Sequence, residues 1–163
     1  MKTKDLALGG ILTALTIIIL YISTIVPTST MTFYGITAII TIIAYIRASI
    51  KTAILVYTSS SILCFLFLPP QTYLMYILFF GHYGILKGII EGLNKIVLEW
   101  ILKLIVFNTC LFLGAFLFNF ILNINVFEQG FIMQLVLGQV IFVICDYALT
   151  LAIDGYYKYF SRF

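Results

Sequence analysis

Apolar residues run almost without interruption along this chain, and polar ones cluster in short gaps between six long stretches. The stretches cover roughly residues 6–26, 31–46, 52–68, 72–90, 96–122 and 130–155. Each approaches the ~20 residues a helix needs to cross a hydrocarbon core about 30 Å thick. Continuous apolar runs, without the two-residue alternation of a membrane barrel, argue against strands. The pattern therefore predicts an all-α polytopic membrane protein, one domain over residues 1–163, folded as a compact bundle of six transmembrane helices. The gaps at Pro27 to Thr30, Leu68 to Gln71 and Asn123 to Gln129 are short, so consecutive helices are expected to be antiparallel neighbours.

The basic residues orient the bundle. Lys2 and Lys4 precede the first stretch, Arg47 and Lys51 sit between the second and third, Lys87 and Lys95 flank the junction of the fourth and fifth with Lys103 beyond, and Lys158 and Arg162 follow the sixth. The other three junctions contain no Lys or Arg. Short loops rich in Lys and Arg stay on the cytoplasmic side, which predicts an N-in, C-in topology. Met1 to Asp5 could begin a secretory signal, but the apolar run is long and Ile25-Val26-Pro27-Thr28 is no small-residue cleavage site, so it is read as a permanent helix.

Composition sharpens this picture. Hydrophobic residues make up 63% and charged residues 9%, and mean hydropathy is +1.18, well outside the soluble range. The net charge of +3 then reports membrane orientation and gives no ground for nucleic-acid binding. Cys64, Cys110 and Cys145 lie inside stretches without CxxC spacing and read as small apolar residues. An enzyme is not expected: a single His, no HExxH, no GxSxG and no Walker loop are present. No cofactor or metal site is expected either.

Small residues mark close helix contacts, because backbone approach drives association in lipid. Gly84, Gly88 and Gly92 form a ridge on the fourth stretch and Ala7, Gly10 and Ala14 one on the first. The former is read as packing within the bundle; the latter fits either packing or a partner protein. Buried polar residues are costly and often functional in a membrane. Ser59, Ser60, Ser61, His82, Asn108, Gln139 and Asp146 all lie well inside stretches. A lone carboxylate in hydrocarbon must be protonated or partnered, and His82, at similar depth, is the expected partner of Asp146. A candidate cavity would be lined by Ser60, His82, Asn108, Gln139 and Asp146. Lys87, Glu91, Lys95, Glu99 and Lys103 recur at four-residue spacing and are expected to neutralise one another if the chain turns near Gly92 to Lys95.

The run Leu6-Ala7-Leu8-Gly9-Gly10-Ile11-Leu12-Thr13-Ala14-Leu15 resembles the first helix of the substrate-binding S components of energy-coupling factor (ECF) transporters. The resemblance covers the whole chain in topology and about ten residues in motif. It implies a six-helix bundle with both termini inside, a vitamin-like small-molecule substrate, and partners in a coupling transmembrane subunit and ATPase subunits. Gly10 and Ala14, supported by Ala7, would dock the coupling subunit, with Gly10 standing where the family more usually has Ala. The family's outer-half ligand site would add Tyr34, Tyr57 and Tyr76, with Thr32 nearby. The cell membrane of a bacterium is the expected location. An alternative stays open: a ligand-free membrane scaffold, similar in size and helix number to the rod-shape-determining membrane subunit of bacterial wall elongation. A self-contained carrier is disfavoured, since the chain lacks the internal repeats used for alternating access.

Overall fold

The computed structural model describes residues 3–93, 95–122 and 131–160. Six helices dominate: α1 (Thr3–Ile25), α2 (Thr30–Arg47), α3 (Ile50–Phe67), α4 (Pro70–Glu91), α5 (Ile96–Leu122) and α6 (Phe131–Phe160). No strand occurs among the described residues. All six are long and apolar enough to cross a membrane, α6 over Leu135–Tyr156, so the chain is a multi-pass membrane protein. The helix ends fall within five residues of those expected from the apolar pattern. The junction expected at Asn123 to Gln129 lies outside the described residues, as do Lys2 and Arg162.

Local chemistry sets the visible boundaries. A single 3-10 turn, Pro27–Ser29, reverses the chain between α1 and α2. At the start of α3 the Ser49 side chain accepts from the Thr52 amide at 3.3 Å, satisfying one of the amides a helix start leaves orphaned. Pro70 opens α4, where a missing N–H costs nothing. The Lys95 amide donates to Glu99 Oε1 at 3.1 Å at the head of α5, a carboxylate placed favourably at a helix N-terminus.

Helix α4 is the axis of the bundle. Half of its span is buried, against 17% for α5 and α6, so the last two helices flank a core made by the first four. Glycines permit this. A Cβ on Gly84 would collide with the Thr41 hydroxyl and lie 2.6 Å from the Ala38 carbonyl oxygen; one on Gly88 would lie 2.8 Å from the Tyr45 ring. Both glycines therefore let α2 pack against α4, as the ridge suggested. Gly92 belongs to the end of α4 instead, where the nearest atoms to an added Cβ are carbonyl oxygens of Ile89 and Gly88.

Buried hydroxyls inside this core are mostly satisfied by their own helices. Thr13 donates to Gly9 O, Thr16 to Leu12 O, Thr37 to Tyr34 O and Thr41 to Ala38 O, at 2.7–2.9 Å. At one end of the bundle, Arg47 Nε donates to the Tyr156 hydroxyl and the guanidinium lies 5.5 Å from that ring's centroid. This pair fastens the end of α2 to the end of α6.

Helix α4 is irregular at one place. Residues Tyr76–Phe80 form a π turn, closed by the Gly81 amide donating to Tyr76 O. Such a turn inserts a residue and loosens local carbonyls from the helical ladder. Here the Ile77 carbonyl accepts from both the Tyr57 hydroxyl and His82 Nδ1, each at 3.0 Å. Gly81 is required: a Cβ there would stand 2.8 Å from Tyr57 ring carbons and 2.9 Å from Tyr76 O.

Candidate functional site

Just beside the π turn, α4, α5 and α6 stand apart around a cavity of about 220 Å³. Its wall includes Met75, Phe79 and His82 of α4, Phe107 and Cys110 of α5, and Phe142 of α6, with Met31 at the head of α2. Aromatic contacts hold the wall. Phe107 stacks on Phe142 with centroids 4.4 Å apart, Phe79 lies 6.1 Å from Phe107, and Tyr83 meets Phe142 edge-on at 5.5 Å. Gly138 contributes by omission, since its Cβ would stand 3.3 Å from Leu111.

The few polar groups at this wall are already engaged. His82 Nδ1–H donates to the Ile77 carbonyl, so Nε2 is the acceptor for the Cys110 thiol, 3.5 Å away. Tyr83 presents its ring, while its hydroxyl turns away and donates to Asp146 Oδ1 at 2.6 Å. The wall is therefore apolar in effect as well as in composition.

Tyr83 connects the cavity to a buried ion cluster. Lys87 Nζ lies 2.6 Å from Asp146 Oδ1 and 2.6 Å from Glu91 Oε1; Lys103 Nζ lies 3.0 Å from Asp146 Oδ2 and 2.8 Å from Glu91 Oε1. Two cations and two anions alternate in a closed ring whose formal charges cancel. Lys87 and Glu91 come from α4, Lys103 from α5 and Asp146 from α6, so the ring binds three helices. Lys87 also donates to the Thr150 hydroxyl at 2.9 Å, which occupies all three of its ammonium protons. The Lys103 ammonium additionally lies 5.6 Å from the Trp100 ring centroid. Lys87, Lys103 and Asp146 are at most 4% exposed, whereas the Glu91 side chain is 32% exposed. Glu91 is thus the ring's open corner, at the end of α4. A closed, neutral and hydrogen-bonded arrangement of this kind is what makes four charges tolerable in such surroundings.

The structure redistributes the residues expected to share one pocket. His82 lines the cavity. Asp146 does not, and its partners are Lys87 and Lys103 rather than His82: the expected pairing is corrected. Asn108 and Gln139 pair with each other, Gln139 Nε2 donating to Asn108 Oδ1 at 2.7 Å across α5 and α6, while Asn108 Nδ2 donates to Leu104 O. Ser60 donates to Val56 O at 2.6 Å and is fully buried in the α1–α4 core. Tyr34, stacked on Phe80 at 5.4 Å, and Tyr76 belong to a core cluster with Leu20, Cys64 and Leu68, on which Tyr57 packs. The Tyr76 hydroxyl is buried with no hydrogen-bond partner in good geometry among the described residues. These residues surround the π turn from the core side and do not face the cavity.

On α1, Ala7, Gly10 and Ala14 are exposed, and nothing lies within 4 Å of a Cβ added to Gly10. The face packed into the bundle is the other one, with Gly9, Leu12, Thr13, Thr16 and Leu20. Among the described residues, nothing of the bundle packs against that ridge at Gly10. Of the five residues expected to neutralise one another, Lys87, Glu91 and Lys103 do so, with Asp146 as the member that was missed, whereas Lys95 and Glu99 are joined through the Lys95 amide at the head of α5. The four-residue spacing was the available signal for the cluster, and its count of three lysines against two glutamates was the signal for a further carboxylate. Comparison with protein-family models, curated proteins and solved structures gives no match.

Proposed function

We propose that this chain is the ligand-holding subunit of an ECF-type uptake transporter in the cytoplasmic membrane of a bacterium, energised by a coupling transmembrane subunit and ATPase subunits. The observation that carries this reading is the cavity between α4, α5 and α6, which runs from mid-span residues such as Phe107 and Cys145 to Met31 and Met75 near the helix ends opposite the basic loops. A subunit that captures a small molecule from outside requires a site there, and a preformed concave apolar site is the usual form of one. In this reading both termini and the loops around residues 48–51 and 92–95 face the cytoplasm, in keeping with their Lys and Arg content.

The same reading gives the outward face of α1 a role. Ala7, Gly10 and Ala14 offer backbone-deep contact to another helix, the type of surface on which membrane helices associate. Below the cavity, Tyr83 relays to the ion ring, and the ring ends at Glu91 beside the α4–α5 loop. A ligand that shifts Tyr83 thereby shifts the contacts that join three helices.

The test is assembly. The chain purified from its native membranes in mild detergent is expected to carry ATPase activity with it. Gly10→Leu with Ala14→Leu is expected to release that activity while leaving the chain folded, because both positions face outward. An intact ATPase-bearing complex with the double variant, or wall-synthesis enzymes in place of an ATPase in the parent preparation, would refute the proposal.

A further inference from the structure

We infer that the cavity selects a compact, uncharged, flat apolar molecule, of one or two fused aromatic rings, and excludes charged or strongly polar analogues of the same shape. This deepens the preceding proposal and rests on its reading of the cavity as the binding site.

Three observations converge on the ligand's chemistry. The first is the absence of an available partner for charge. Among the described residues, the cationic and anionic side chains nearest the cavity are those of the ring below Tyr83, and they are committed to one another. The titratable groups that do line it, His82, Cys110 and Tyr83, spend their protons or lone pairs on one another, on Ile77 O and on Asp146. Cys145, the remaining thiol of the lining, is at best a weak donor. A ligand charge would therefore enter unpaired, a heavy penalty in an apolar site.

The second observation is size. An enclosed dry apolar cavity of about 150 Å³ is known to admit benzene, and this half-open one measures about 220 Å³. It exceeds one ring but falls below the ~300 Å³ at which the usual range of ligand pockets begins. The third is shape. Phe79, Phe107, Phe142 and the Tyr83 ring wall the space, and aromatic faces and edges prefer other aromatic rings in offset or edge-on contact. An open-chain lipid tail meets the apolar requirement but gains nothing from that wall.

The experiment uses the full chain in detergent micelles, with toluene, naphthalene, 1-naphthoate, 1-naphthylmethylammonium and n-octane as probes. Two readouts are taken: the melting temperature, and the rate at which N-ethylmaleimide alkylates Cys110, resolved by peptide mass spectrometry with buried Cys64 as the internal reference. Each is repeated in Gly138→Leu and, independently, Cys145→Leu, which fill the cavity from different positions on α6. Toluene and naphthalene are expected to raise the melting temperature and slow Cys110 alkylation in the parent but not in a filled variant. The two naphthyl ions are expected to require concentrations at least about 100-fold higher for the same effect. If one filled variant fails to fold, the other supplies the comparison.

Equal protection by the ions would leave the cavity as a binding site and overturn its selectivity. Octane acting at lower concentration than naphthalene would overturn the aromatic class in favour of a lipid tail. If no probe gives an effect that depends on the cavity, both this inference and the reading of the cavity as a binding site fail.

Discussion

Replacing Asp146 by Asn keeps the shape of the side chain and removes one charge from the ring. Two ion contacts are lost, Lys87–Asp146 at 2.6 Å and Lys103–Asp146 at 3.0 Å, while Lys87–Glu91 and Lys103–Glu91 remain. The site passes from neutral to a net charge of +1, two lysines sharing the partly exposed Glu91. At an effective dielectric near 20, each lost contact near 3 Å represents on the order of 5 kcal/mol of gross Coulomb attraction. Much of that is offset: the Asn oxygen still accepts from Tyr83 and Lys87, and water reaches the ring at Glu91. Breaking a buried pair by removing one partner leaves a net loss of about 3–5 kcal/mol. Adding Lys103→Met restores neutrality, with Lys87 and Glu91 as a remaining pair. The double variant is therefore expected to be more stable than the sum of the single losses, by about 1–3 kcal/mol of coupling. Reversible unfolding of the four proteins by SDS titration in mixed micelles measures this cycle. Asp146→Asn unfolding within about 0.5 kcal/mol of the parent, or strictly additive losses, would refute a ring that acts as a unit.

Single contacts carry the other expectations. Gly84→Ala drives a Cβ against the Ala38 carbonyl, a backbone atom that cannot rotate away, and is expected to cost about 1–3 kcal/mol; Gly10→Ala, with open space around it, is expected to stay within about 0.5 kcal/mol in the same titration. Tyr57→Phe removes one of two hydrogen bonds to Ile77 O and is expected to destabilise by about 1 kcal/mol, a loss near zero showing that the π turn does not depend on it. In a background with Cys64, Cys110 and Cys145 replaced, Ser29→Cys and Asn125→Cys are expected to label from outside intact cells with an impermeant maleimide, and Ser49→Cys and Asn94→Cys only after permeabilisation; the reverse pattern would invert the topology.

Much of the fold was legible because the membrane imposes it. Six uninterrupted apolar stretches admit few alternatives, and their ends carry local signals such as Pro70 and Ser49. The π turn at Tyr76–Phe80 was not legible: Tyr-Ile-Leu-Phe-Phe continues the apolar pattern, and Gly81 alone hints at the close approach of Tyr57. The site was half legible. Lys87, Glu91 and Lys103 announced a cluster through their spacing, and Asp146 announced that it needed a partner. Depth then misled, because it selected His82. His82 and Lys87 are five positions apart, about 140° around a helix of 3.6 residues per turn, whereas Tyr83 and Lys87 share a face. It is that face which meets α6. Ser60, Tyr34, Tyr57 and Tyr76 went astray for a related reason. Their depth suits a cavity, but their helix faces point into the α1–α4 core, and the opening lies on the α5–α6 side of α4.

The claim that this chain holds a small molecule is tested most directly by what leaves native membranes with it. The parent chain and Gly138→Leu, purified in parallel, would be denatured and their bound small molecules quantified by mass spectrometry. A compact compound near one equivalent in the parent and absent from the filled variant is the result the account predicts. The same lipids and nothing else in both preparations would contradict it.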